Sequence, residues 1–224
     1  MTYFDQDFQN FFSELEKNNN KDWFDKNRKR YEKSVKIPFT KFIDELIGLI
    51  NEDDPEVRIQ AKEAIFRINR DVRFSKDKSP YKTHMSAIIS HGGRKDKSVP
   101  GIYVQLDHKE IRFYGGAHMV DKDQLYKIRK AIANDLQKFQ KLIDDPVFKM
   151  KFGKIHGEQN KRIPEEFQTA YKVQPLIANK NYYYYAILDR KYITKNKLPG
   201  VIMDYYFVAK SLKNFFANAL NNKL

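Results

Sequence analysis

The hydrophobic period of this chain changes twice, and that change constrains its fold more than any other feature. From Phe8 to Ile50, apolar residues recur at steps of three and four, as in helices with one buried stripe. Phe8, Phe11, Phe12 and Leu15 form the first stripe. Trp23, Asn27, Tyr31 and Val35 form the second, behind Asp22 as N-cap. Phe39, Phe42, Ile43, Leu46, Ile47 and Ile50 form the third, with Pro38 in its first turn. The period then becomes two. Phe66, Ile68, Val72 and Phe74 share one parity, and Arg67, Asn69, Asp71 and Arg73 the other, which predicts a strand over 65–74. Further strands are expected over 84–90, 102–106 and 110–114, ended by Gly92-Gly93, Asp107-His108-Lys109 and Gly115-Gly116. Their short connections imply an antiparallel meander over 64–116. Helical spacing returns afterwards. Asp121 and Gln124 read as the capping box of a long helix over 121–145, with Leu125, Ile128, Ile132, Leu136, Phe139 and Ile143 on its buried stripe. Residues 147–176 read as irregular and Tyr182–Leu188 as a strand joining the sheet. A last helix near Pro199 turns Ile202, Tyr206, Ala209, Leu212, Phe216 and Leu220 inward.

Helices, then strands, then helices again predict an α+β fold, with helices packed mainly on one face of an antiparallel sheet. No linker or repeat divides the 224 residues, so one domain is expected. Aromatic residues make up 14% of the chain, which argues for a packed core despite 32% charged residues. There is no cysteine, which excludes disulfides and thiolate metal sites and favours a reducing compartment. No secretory signal and no apolar run of about 20 residues is legible. The expectation is a soluble cytoplasmic protein with no membrane partner.

Positive charge is unevenly spread. Arg67 to Lys97 holds nine Lys and Arg against three Asp, a net +6 of the chain's +13. If the four predicted strands share a sheet, one face collects Arg67, Asp71, Arg73, His84, Ser86, Tyr103, Gln105, Arg112 and Tyr114. Guanidinium forks bind phosphate and carboxylate through paired N–H groups, and Tyr and His add donors. The loop after the first strand, with Lys76, Asp77, Lys78, Tyr81 and Lys82 around Ser79-Pro80, adds positive potential beside that row. The competing reading is a polar outer face where Arg67, Asp71 and Arg73 pair with one another. Arg70 stands on the apolar parity. A buried guanidinium needs a partner, so Arg70 is expected to be structural, paired with Asp22 or Glu45. His84 and His91 are seven residues apart and face opposite sides of one strand. No His-Glu-x-x-His helix, phosphate-binding glycine loop or Gly-x-Ser-x-Gly elbow is present. No metal site is expected, and no cofactor is specified.

The stretch Phe66-Arg67-Ile68-x-Arg70-Asp71-x-Arg73-Phe74-Ser75-x-Asp77-Lys78-Ser79-Pro80-Tyr81-Lys82-Thr83-His84 resembles the signature of the family catalogued as domain of unknown function 2461. Asn20-Lys21-Asp22-Trp23-Phe24, Arg30-Tyr31, Pro100-Gly101-Ile102-Tyr103, Ile128-Arg129, Lys161-Arg162-Ile163-Pro164 and Phe167 extend the resemblance over nearly the whole chain. It implies a single-domain soluble protein and specifies no activity, cofactor or partner.

Three functions follow from the residues. The first is an enzyme, or degenerate enzyme, acting on a phosphorylated or other anionic small molecule. Arg67, Arg73, Lys78, Tyr81, Lys82, Tyr103 and Arg112 would bind that ligand, and Asp71 or His84 would move a proton. The second is a nucleic-acid-binding module on the same basic region, with Tyr81, Tyr103 and Tyr114 stacking on bases. The third is a non-catalytic interaction or structural protein.

Overall fold

The computed structural model describes residues 2–95 and 100–221, so the Asp96-Lys97 end of the basic stretch lies outside the described residues. The fold is α+β, with an open four-stranded antiparallel sheet in the order β1-β2-β3-β4. The strands are β1 (Met85–Ile89), β2 (Ile102–Leu106), β3 (Glu110–Ala117) and β4 (Tyr182–Asp189). The chain forms two compact units. One comprises Met1–Lys95, Tyr103–Phe113 and Ile187–Met203, the other Asp96–Ile102, Tyr114–Ala186 and Asp204–Leu224.

The first unit begins with α1 (Gln6–Lys17), α2 (Lys21–Lys26), α3 (Arg28–Tyr31), α4 (Ile37–Asp53) and α5 (Ala61–Ala64). The first and third helical stripes read from the sequence are its core: Phe8, Phe11, Phe12, Leu15, Phe39, Phe42, Ile43 and Leu46 are all fully buried, while the second holds at Tyr31 and Val35 and fails at Trp23 and Asn27, where Phe24 is buried instead. Asn20, not Asp22, caps α2, accepting from the Trp23 N–H at 2.9 Å. From Asn20, just ahead of the helix, the side chain reaches the first-turn donors, whereas Asp22 already lies inside that turn. Arg30 ties α3 to α1 through Asp7 at 2.7 Å and Glu14 at 2.7 Å. Between α3 and α4 the helix never breaks. Glu32–Lys36 form one π-helical turn, which buries Ser34 and Val35 together.

Residues 65–74 do not form the predicted strand. They follow α5 and meet β1 at one isolated antiparallel bridge, Ile65 with Ala87, while Asn69 bridges Tyr81 on the other arm of the loop. β1 to β3 form the meander, and the fourth strand is β4, the one expected over Tyr182–Leu188. Short polar side chains explain the loss. Asp71, Ser75, Asp77 and Ser79 hydrogen-bond within their own loop, which competes with a ladder. Phe74, assigned by parity to the apolar face, is 97% exposed.

In the second unit, the predicted helix over 121–145 is two helices, α6 (Lys122–Asn134) and α7 (Leu136–Asp144). The Asp121/Gln124 capping box is present. The break comes at Asp135, whose carboxylate turns back to accept from the Lys138 N–H at 2.9 Å and so caps a new helix. The segment over 147–176 is irregular only in its middle, where 153–164 carry isolated bridges and no helix or strand. Asp145-Pro146 ends α7 and starts α8 (Pro146–Phe152), and α9 (Gln168–Val173) follows. The unit closes with α10 (Leu198–Leu220), which buries Tyr206, Ala209, Leu212, Phe216 and Leu220 there, as its stripe predicts.

Gly115-Gly116 lies inside β3 instead of ending it. At Gly115 the Tyr184 ring lies where a side chain would be, and Phe148 and Phe152 surround that ring at 5.2 Å and 5.0 Å. Gly116 has φ +108, and the Tyr182 carbonyl oxygen crowds the place a Cβ would take. On the opposite side of these strands the rings stack on one another. Tyr114 stacks on Tyr185 at 5.3 Å, and His156 packs against both Tyr185 and Tyr183, at 4.9 Å and 5.5 Å.

Candidate functional site

The Arg67–His84 motif folds as a long-tipped loop. Its arms pair through Phe66 N–H to the Ser86 carbonyl at 2.9 Å, Lys82 N–H to Ile68 at 2.8 Å and Arg70 N–H to Pro80 at 2.9 Å. Beyond Arg70 the tip closes on itself. Arg70 binds Asp77 and reaches the Ser75 hydroxyl at 3.3 Å. Its partner is therefore in the loop, not Asp22 or Glu45, and its structural role is to close the tip. Arg73 grips Asp71 in a two-point fork at 2.9 Å and 2.7 Å. Lys78 donates to the Val72 carbonyl at 3.0 Å. Hydrogen bonds from Ser79, together with Arg70, hold the Asp77 carboxyl well below the usual range, and Arg73 lowers that of Asp71. Both stay anionic at neutral pH. Asp71, Arg73 and Lys78 thus brace the tip, and Asp71 is a poor proton acceptor there.

Tyr81 is a packing anchor. Its ring is buried and stacks on Phe24 with centroids 4.0 Å apart and planes at 15°. Asn19 accepts from the Tyr81 N–H at 3.1 Å and donates to its carbonyl at 2.9 Å, which fixes the loop arm to the helical layer.

The structure brings together a smaller set: Arg67, Lys82, His84, Tyr103 and Arg112. Tyr103 on β2 and Arg112 on β3 are half-buried, as is His84, the residue just before β1. The Lys82 ammonium lies 5.2 Å from the Phe66 ring centre, and Phe66 packs on Tyr103 at 6.3 Å. The Tyr103 hydroxyl donates to Gln105 at 2.8 Å, and Arg112 binds Glu110. Burial, and then the nearby Arg67 charge, pull the Lys82 ammonium below the usual lysine range. Burial likewise pushes His84 down to about 4, with Lys82 and Arg112 adding to the effect and Asp107 opposing it. Among the described residues, neither Arg67 nor Lys82 forms an ion pair. Sequence reasoning missed Phe66, read as core, and Asp107, read as a turn. The spacing Phe66–Lys82 across a hairpin would have revealed the first only with the register known.

The sign of His84's contribution to stability follows from its lowered value. The folded state prefers the neutral imidazole, so the contribution is complete above the unfolded value of about 6.5 and is lost as pH falls towards 4. Between those limits the protein is expected to lose about 1–2 kcal/mol relative to a His84→Asn variant, the partial exposure discounting the full shift. Denaturant titrations of both proteins across pH 4–7 would show parallel curves if His84 contributed nothing.

An α+β chain with an open antiparallel sheet and a cationic cluster beside a braced loop defines the architectural class. The chain belongs to the conserved hypothetical protein family DUF2461, whose model matches residues 7–215. No curated protein matches the chain, and no solved structure does.

Proposed function

We propose that the protein binds a phosphorylated or otherwise anionic small molecule at Arg67, Lys82, Tyr103 and Arg112. One observation carries this reading. Lys82 is a half-buried cation, it stands beside a second cation, and neither forms an ion pair among the described residues, the Asp71 carboxylate near Arg67 being held in the Arg73 fork. Burial penalises the Lys82 charge and the exposed Arg67 adds repulsion, and an anion beside Lys82 offsets both. The Tyr103 hydroxyl, whose hydrogen goes to Gln105, offers its oxygen as an acceptor for a ligand hydroxyl. His84, neutral at pH 7, accepts a hydrogen bond from a ligand hydroxyl, and its lowered value makes it a hydrogen-bond acceptor more than a base.

A thermal-shift panel of nucleotides, sugar phosphates and carboxylates at millimolar concentration tests the proposal. A ligand at a hundred times its Kd is expected to stabilise by about 2.7 kcal/mol, roughly 5–10 °C, and an Arg67→Ala/Lys82→Ala variant to lose the shift. Silence across the panel counts against the reading. If oligonucleotides alone bind, with affinity falling steeply in salt, the ligand is nucleic acid instead.

A further inference from the structure

Phe74 stands at the loop tip with 97% of its surface exposed, the most exposed of the large hydrophobic side chains described. Burying a benzene ring stabilises a fold; holding it in water does not. Yet the loop holds it there firmly. Arg73 is fixed in its fork with Asp71, Arg70 closes on Asp77, Lys78 donates to the Val72 carbonyl, and the Ser75 N–H returns to that carbonyl at 3.3 Å. Close to the ring, the Arg73 guanidinium sits 5.8 Å from its centre. The ring is therefore presented on a pre-organised support.

Its surroundings are cationic. From Arg67 to Lys82 six Lys and Arg face two Asp, and both carboxylates are taken up by Arg70 and Arg73. Lys76 and Lys78 remain as exposed positive charges two and four residues from the ring.

We propose that this tip docks on an anionic lipid surface, with Phe74 entering the interface and Lys76 and Lys78 lying among the headgroups. The partner must be negative, by charge complementarity. It must also accept a ring on a protruding tip without a preformed pocket, which the interface of a bilayer does. A single strand of nucleic acid is held in grooves with several stacking rings, and the tip offers one, since Tyr81 is buried against Phe24. The attachment is peripheral, because no described helix is long and apolar enough to cross a membrane. It is separate from the Lys82 and His84 cluster and does not rest on the reading of that cluster.

The full chain is tested by co-sedimentation with vesicles of phosphatidylcholine alone and of phosphatidylcholine with phosphatidylglycerol. Binding is expected only to the anionic vesicles and to weaken with salt, with roughly fivefold lost for Lys76→Ala, whose ammonium plays no part in bracing the tip. Phe74→Ala is expected to weaken it roughly tenfold without changing the melting temperature. Lys82→Ala, which tests the anion site, leaves vesicle binding in place. Three results would overturn the proposal. Anionic vesicles fail to bind, or Phe74→Ala binds them like the wild type, which makes the attraction one of net charge alone. In the third, Phe74→Ala weakens binding to a short single-stranded oligonucleotide while vesicles are ignored, which makes nucleic acid the partner.

Discussion

Gly116→Ala is expected to lower unfolding stability by about 3–5 kcal/mol, a fall of roughly 10–15 °C in melting temperature. Two causes act together. With φ +108 the backbone is strained for any residue bearing a Cβ. That Cβ would also collide with the Tyr182 carbonyl oxygen and stand 2.9 Å from the Tyr183 Cα, and both are backbone atoms of the paired strand. Neither can swing aside as a flexible side chain would, so β3 and β4 must part locally. Gly48 is the built-in control. It lies in α4, and a methyl added there would meet nothing within 4 Å, so Gly48→Ala is expected to stabilise by about 0.5–1 kcal/mol. Thermal melts of the two variants should move in opposite directions. A Gly116→Ala protein that melts with the wild type would sink the argument.

The second large effect is expected at Arg129, a residue 5% exposed on α6. Its guanidinium donates to the Ile177 carbonyl at 2.8 Å and the Asn179 carbonyl at 3.2 Å. Those carbonyls lie at the end of the 3-10 turn Pro175–Ala178 that leads into β4. Arg129→Met keeps the bulk of the side chain and removes both donors, leaving two buried acceptors unsatisfied. The expected loss is about 3–4 kcal/mol, with Arg129→Lys between Met and the wild type because one ammonium cannot span both carbonyls. Denaturant unfolding measures the loss, and proteolysis near 174–181 should become faster. Equal stability of Arg129→Met and wild type would mean that the desolvation cost of the guanidinium cancels its hydrogen bonds.

The helices α1, α4 and α10 were legible because each keeps one apolar stripe over several turns. The strands β1 to β3 were legible through alternation. Residues 65–74 alternate equally well and still do not form a strand. There the decisive interactions are Asp77 with Ser79 and Arg70, and Asp71 with Arg73, which a parity count does not see. The same blindness split the site. Arg73, Lys78 and Asp71 were grouped with Arg67 and Lys82 by nearness in sequence, but they brace the tip. Lys82 stands out only once its burial and the lack of a carboxylate are known. At Asp135 a single cap overruled a continuous stripe, because the stripe says which side is buried and nothing about where the axis turns.

The π-helical turn at Glu32–Lys36 is in effect one residue more than a regular helix from Arg28 to Asp53 would need. Such a turn is a stored insertion. Loss of one residue there would leave every backbone bond of the helix intact while rotating all that precedes it by about 100° about the axis. Arg30 would then swing away from Asp7 and Glu14. The extra residue sets the phase between the two halves of this helix, so a length change of one at this point alters which side chains meet and leaves the secondary structure unchanged.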